Sequence, residues 1–137
     1  MSPSSVALRQ TFRKSERLCS RKVLNELVLK GHTIHEKPLR LVWLSTVLNS
    51  DTAAQAAFTV PKKNFKKAVD RNSIKRRIRE AYRKNKSPLY SLISPMERQF
   101  ALLFIYTGKE KATYFEIEVK LKSILSRFAE AVKENNN

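Results

Sequence analysis

The stretch Val69–Lys86, "VDRNSIKRRIREAYRKNK", decides how the rest of the chain is read. Ile74, Ile78, Ala81 and Tyr82 recur through it, and at ~100° per residue they share one arc of about 100°. Asn72, Lys75, Arg76, Arg79, Arg83 and Lys86 fall in the adjoining arc by the same rotation. The spacing predicts a helix whose apolar stripe docks on a sheet while a separate cationic stripe faces outward. Solvated helix faces commonly mix charge signs. Here twelve basic residues between Pro61 and Lys86 meet only Asp70 and Glu80. A localisation signal needs no apolar anchor, and a helix lying on a membrane needs a wider one.

This pattern suits phosphate binding. Guanidinium forks held on a rigid helix engage phosphate oxygens bidentately, where ammonium groups act as point charges. Asn72 can hydrogen-bond a base edge, a 2′-hydroxyl or a phosphate. Immediately upstream, "PKKNFKK" places Lys62, Lys63, Lys66 and Lys67 near the helix N-terminus, where the backbone dipole also favours anions.

Outward from this helix the chain reads as one domain. In "SRKVLNELVLKG", Ser20 is a predicted N-cap, Val23, Leu24, Leu27 and Val28 a predicted apolar face, and Gly31 the stop. The runs "PLRLVWLSTVL" (38–48) and "AAQAAFTV" (53–60) are expected to pair antiparallel across "NSDT", with Pro61 ending the pairing. "SPLYSLISPMERQ" reads as a connector with a helical turn. "FALLFIYT" (100–107) suits a central strand covered on both faces. Ile117, Leu121, Ile124, Leu125, Phe128 and Val132 mark an amphipathic helix over about 113–134. The expected architecture is a single-domain α+β sandwich in the order αβββαβα. Residues 1–14 are expected to form a flexible basic arm, 15–134 the domain, and 135–137 a disordered tail.

The whole chain has 137 residues, 28 Lys and Arg against 12 Asp and Glu, and 42% hydrophobic residues. Hydrophobics at that level with only two glycines argue for a folded surface carrying a net charge of +16. Such a surface calls for an anionic partner, nucleic acid before membrane. With Cys19 as its one cysteine the chain can form neither an intrachain disulfide nor a thiolate zinc cluster. No run approaches the ~20 apolar residues of a membrane span or resembles a signal peptide, so a soluble cytoplasmic protein is expected.

Catalytic chemistry is not legible in the chain. His32, His35 and Glu36 in "GHTIHE" have neither the HExxH nor the zinc-finger spacing and read as loop residues. Asp70 and Glu80 are ~15 Å apart along a helix, far beyond the ~4 Å that separates paired catalytic metal ions. With glycine only at 31 and 108 there is no glycine-rich phosphate loop. A ribosomal or general structured-RNA-binding protein would satisfy these features.

Over Ala68–Arg83, "AVDRNSIKRRIREAYR", the chain resembles the protein component of bacterial ribonuclease P. That family has Arg-Asn-Arg followed by Ile-Lys-Arg and an Arg-Glu-Ala-aromatic turn. Its other landmarks occur here in order: "KSERLCSRKVLNELVLKG" as a first helix, "AFTVPKK" as the strand before the motif, "FALLFIYT" as a last strand. The resemblance implies a ribosomal protein S5 domain 2-like fold with an unusual left-handed βαβ crossover. It implies a protein that is not itself the catalyst: an RNA subunit with bound Mg²⁺ removes the 5′ leader of precursor tRNA, and the protein binds that RNA and the leader. No membrane and no obligate protein partner is implied, and no metal held by the protein alone. RNA-contacting positions carried over are Arg71, Asn72, Lys75, Arg76 and Arg79, with Lys62 and Lys63 leading in; Lys66, Lys67 and Arg83 extend the same basic surface. The chain departs from the motif at Ser73, where the family has a second arginine. It departs again at Leu24 and Val28, where the family often has aromatics lining a leader cleft. The stacking role is then expected of Phe12 or Phe58.

Overall fold

The computed structural model describes residues 11–135, so residues 1–10 of the expected arm and 136–137 of the expected tail lie outside the described residues. Its elements are α1 (Arg21–Lys30), β1 (His32–Glu36), β2 (Leu39–Ser45), β3 (Ala54–Thr59), α2 (Ala68–Asn85), α3 (Ser87–Ile93), β4 (Phe100–Tyr106) and α4 (Tyr114–Asn135). The four strands form one mixed sheet in the order β1-β2-β4-β3. β4 is central, antiparallel to β2 and parallel to β3.

Alternation along the strands divides the molecule. Phe100, Leu102, Phe104 and Tyr106 of β4 point to one face, together with Leu39, Leu41 and Trp43 of β2 and Ala54 and Ala56 of β3. There they meet Ile74, Ile78, Ala81 and Tyr82 of α2 and Ile117, Leu121, Ile124, Leu125, Phe128 and Val132 of α4, all buried. The opposite face is thinner. Leu18, Val23, Leu27 and Leu48 cover Ala101 there, and Val42, Leu44, Ala57 and Leu103 stay half-buried.

Helix α1 begins where Ser20 Oγ accepts the Val23 N–H at 3.2 Å. Ser20→Ala is expected to lower stability by about 1 kcal/mol, seen as a lower thermal midpoint, since one first-turn N–H loses its acceptor. At its other end Gly31 donates its N–H to the Leu27 carbonyl at 2.9 Å. Its φ of −68° is open to any residue. A Cβ there, however, would lie 2.5 Å from both Leu27 O and Val42 Cγ1, so close packing on β2 requires the glycine.

Several expectations are corrected. The runs 38–48 and 53–60 do not pair, because β4 lies between them. An apolar strand with both faces covered is best satisfied with a partner on each edge. The 46–53 connection is therefore a wide loop held by Gln99, whose Oε1 accepts the Leu48 N–H at 2.9 Å and whose Nε2 donates to Ser50 O (2.6 Å) and Thr52 O (2.8 Å). The "GHTIHE" segment is edge strand β1, with Ile34 buried between exposed His32, Thr33 and His35. The connector is more helical than expected, since Pro88 and Pro95 occupy first-turn positions that need no donor. Val28 leaves the apolar face of α1 and is 78% exposed, because the thin side of the sheet accommodates only Val23 and Leu27 fully.

Thr11–Lys14, expected as part of a flexible arm, packs on the domain instead. Phe12 lies edge-on to Phe58 (5.6 Å between centroids) and Tyr82 (5.9 Å). Further on, Arg17 bridges to Ala56 in parallel, and Leu18 N donates to Ala56 O at 3.0 Å, so this segment lines the outer edge of β3. Its fastening is Glu16, which is buried. One carboxylate oxygen accepts from Lys86 Nζ and from Tyr90 Oη (2.9 Å), and the other accepts the Arg13 N–H at 3.0 Å. Because Tyr90 gives its proton to Glu16, Tyr82 must donate across the 3.0 Å contact between the two phenols. Burial pushes both phenols well above the ordinary tyrosine range, which keeps both donors protonated.

Candidate nucleic-acid interface

Helix α2 is fixed by its apolar stripe, with Ile74, Ile78, Ala81 and Tyr82 fully buried. The flank of α2 that faces α4 is fixed by polar bonds. Arg77 donates to Ala112 O at 2.6 Å, Lys111 pairs with Asp70 at 3.2 Å, and Asn85 donates to Glu118 Oε2 at 3.0 Å. Arg71 does not face outward as a free cation. It donates to Phe65 O and Lys66 O, both at 2.8 Å, and so shapes the loop before the helix.

What remains is a row at i, i+4 and i+7. Asn72, Arg76 and Arg79 are exposed, Lys75 lies half-buried beside them, and none of the four has a hydrogen bond or ion pair among the described residues. Arg83, expected to extend the row, is held by Glu80 at 2.6 Å. Each strengthens the charge of the other: the hydrogen bond from Arg83 holds the Glu80 carboxyl below its usual range, and the same bond raises the Arg83 guanidinium. Lys86, placed in the cationic arc by extrapolated rotation, is instead buried against Glu16. The helix ends at Asn85, so the arc does not extend to it.

The loop ahead of α2 presents more cations around an apolar pin. Phe65 is buried, 5.9 Å from the Tyr106 ring, while Lys62, Lys63, Lys66 and Lys67 are exposed. A continuous positive surface therefore runs from this loop along the outer side of α2.

Phe12, Phe58, Leu24 and Val28 do not gather in one cleft. Strand parity puts Phe58 on the α2 side, stacked on Phe104 at 5.6 Å with Phe12 against it, whereas α1 carries Leu24 and Val28 over the opposite face. On that opposite face, beside α1, Val42, Leu103, Ile105 and Thr59 form a half-buried floor with Arg40 among them. Arg40 Nε is buried without a hydrogen-bond partner among the described residues. Sequence reasoning missed Arg40. The signal was the alternation in "LRLVWLS", which puts an arginine on the face opposite Leu39, Leu41 and Trp43.

The ribonuclease P family model matches residues 12–129. The chain belongs to the ribonuclease P protein family. It is 31% identical over 116 residues to the ribonuclease P protein component of Porphyromonas gingivalis, covering 85% of each chain. It is 32% identical over 133 residues to that of Chlorobium phaeobacteroides, covering 90% of this chain and 88% of that one. Among solved structures, the RNase P protein of Staphylococcus aureus superposes with a TM-score of 0.64 at 22% identity, over 82% of this chain and 94% of that one. The Thermotoga maritima protein gives 0.64 at 23% over 82% and 96%; both likenesses concern the fold.

Within the ribonuclease P protein family motif, the departure at Ser73 falls on a half-buried position on the side of α2 that faces α4. The exposed row Asn72-Arg76-Arg79 does not include it. Among the described residues no three His, Cys, Asp or Glu side chains gather into a group able to hold a metal ion, and no helix is long and apolar enough to cross a membrane.

Proposed function

We propose that this chain is the protein subunit of a ribonuclease P ribonucleoprotein, binding both the RNA subunit and the 5′ leader of precursor tRNA. The observation that carries the reading is the Asn72-Arg76-Arg79 row, exposed and unpaired among the described residues, on a helix locked to the core. Two arginine forks at fixed separation match phosphates spaced along a strand. They screen the repulsion that two RNAs would otherwise exert on each other. The leader, a single strand, is assigned to the uncovered sheet face. There the half-buried apolar floor receives bases and Arg40, already partly desolvated and short of an acceptor, receives a phosphate. In this reading Mg²⁺ and the cleavage step belong to the RNA, and the chain binds and orients.

Purified chain is expected to raise the rate of leader removal by its cognate RNA subunit when Mg²⁺ is limiting, because fixed protein cations then replace diffuse ones. The advantage should shrink as Mg²⁺ rises. Cleavage no faster than with RNA alone at low Mg²⁺ would sink the reading.

A further inference from the structure

A second surface of the described residues combines lysines with an exposed aromatic ring. The β1–β2 turn, the β4–α4 loop and the first turns of α4 enclose a groove of about 790 Å³. Its wall is α4, where Phe115 is 72% exposed and Val119, one turn on, is 47% exposed. Its rim carries Lys37, Lys109, Lys111 and Lys120 against Glu110 and Glu116. Glu116 is already committed, accepting the Thr113 N–H at 2.8 Å. Lys111 pairs with Asp70, while Lys37, Lys109 and Lys120 make no ion pair among the described residues.

The groove is built rather than incidental. Thr107 N donates to Pro38 O at 2.7 Å, Tyr106 Oη donates to Glu110 O, and the Ala112 N–H donates to Tyr106 Oη at 3.0 Å. At Gly108 a Cβ would come within 2.9 Å of Pro38 Cβ and 3.1 Å of Tyr106 Cε2, so the loop lies flush on the turn. It also adjoins the basic helix: Ala112 accepts from Arg77, and Lys111 reaches Asp70. The Phe115 ring and Val119 thus stand exposed together beside lysines unpaired among the described residues. A base stacks on such a ring, and its flanking phosphates match the surplus positive charge.

We propose that this groove binds an unpaired stretch of RNA, with Phe115 as the stacking platform and Lys37, Lys109 and Lys120 on its phosphates. The proposal rests on reading the chain as an RNA-binding ribonuclease P subunit, and it adds a contact surface beyond the α2 row and the uncovered sheet face.

The test titrates the full chain with a fluorescein-labelled ten-nucleotide single-stranded RNA and follows anisotropy. Phe115→Ala is expected to weaken binding by about 5- to 100-fold, as loss of one base–aromatic stack does. Phe115→Tyr should bind as the parent does and Phe115→Leu should not. Changing Lys37, Lys109 and Lys120 together to Gln should flatten the plot of log Kd against log salt by roughly two units. Unchanged binding in Phe115→Ala overturns the proposal. So does full rescue by Leu, which would mark an apolar docking site for a protein segment. The parent's low-Mg²⁺ cleavage assay separates the two readings. A chain that stimulates cleavage yet ignores Phe115 loses only the groove, and one that shows the Phe115 pattern without stimulating cleavage loses the ribonuclease P role.

Discussion

Glu16→Ala is expected to destabilise the protein by about 3–5 kcal/mol, because it leaves Lys86 as an uncompensated buried charge. The side chain it removes is the common acceptor for Lys86, Tyr90 and the Arg13 N–H, so three donors lose an acceptor together and the Lys86 charge is left with only the neutral Thr11 carbonyl. Against the ~5–15 kcal/mol that holds a typical domain together, this is about a fifth of the total or more. The exposed pairs Lys84–Glu80 and Lys133–Glu130, each at 3.8 Å, offer the contrast, with about 1 kcal/mol or less expected from either. Urea unfolding should show a large fall in midpoint for Glu16→Ala and almost none for Glu130→Ala. Replacing both partners, Glu16→Leu with Lys86→Met, should recover most of the loss, since a buried pair is costly chiefly when broken. A Glu16→Ala midpoint close to the parent's would show that the N-terminal segment is held by its apolar contacts alone.

The second large effect concerns binding. Arg76→Ala combined with Arg79→Ala should weaken affinity for the RNA subunit about a hundredfold or more, taking ~1.5–3 kcal/mol for each charge-assisted hydrogen bond. The salt dependence should flatten by roughly one phosphate contact per arginine. Lysine in place of both should restore the salt slope but only part of the affinity, because an ammonium lacks the planar fork. Stability should hardly change, since both side chains are exposed and unpaired among the described residues. Filter binding across a salt series reads both quantities, and a slope equal to the parent's would exclude direct phosphate contact by these two residues.

Periodicity carried most of the fold. The apolar positions of α2 and α4 were all legible, because a stripe at i, i+3 and i+4 has one physical use on a helix packed against a sheet. The central place of β4 was legible from its unbroken apolar run. Strand partners were not, for pairing is a long-range choice that a turn-like "NSDT" cannot settle when Gln99, distant in sequence, organises the loop. The same limit governs the interface. Sequence counts cations but not their partners, so Arg71, Arg83 and Lys86 looked equivalent to Arg76 and Arg79. The structure ties Arg71 to two carbonyls, Arg83 to Glu80 and Lys86 to Glu16. Arg40 escaped notice for the opposite reason, being one charge inside an apolar run.

The central position of β4 also bears on how the chain can be made. During synthesis β1 and β2 can close as a hairpin early, but β3 has no partner in that sheet until Phe100–Tyr106 emerges and inserts between it and β2. Until then Ile74, Ile78 and Tyr82 have no completed sheet to bury against, although the cationic side of their helix is already displayed. The chain thus emerges from the ribosome positively charged and unfinished, and its contacts of high sequence separation must form last and slowly. An RNA partner that binds the cationic side at that stage would stabilise the helix before the sheet beneath it exists, and would act as a folding aid as well as a partner.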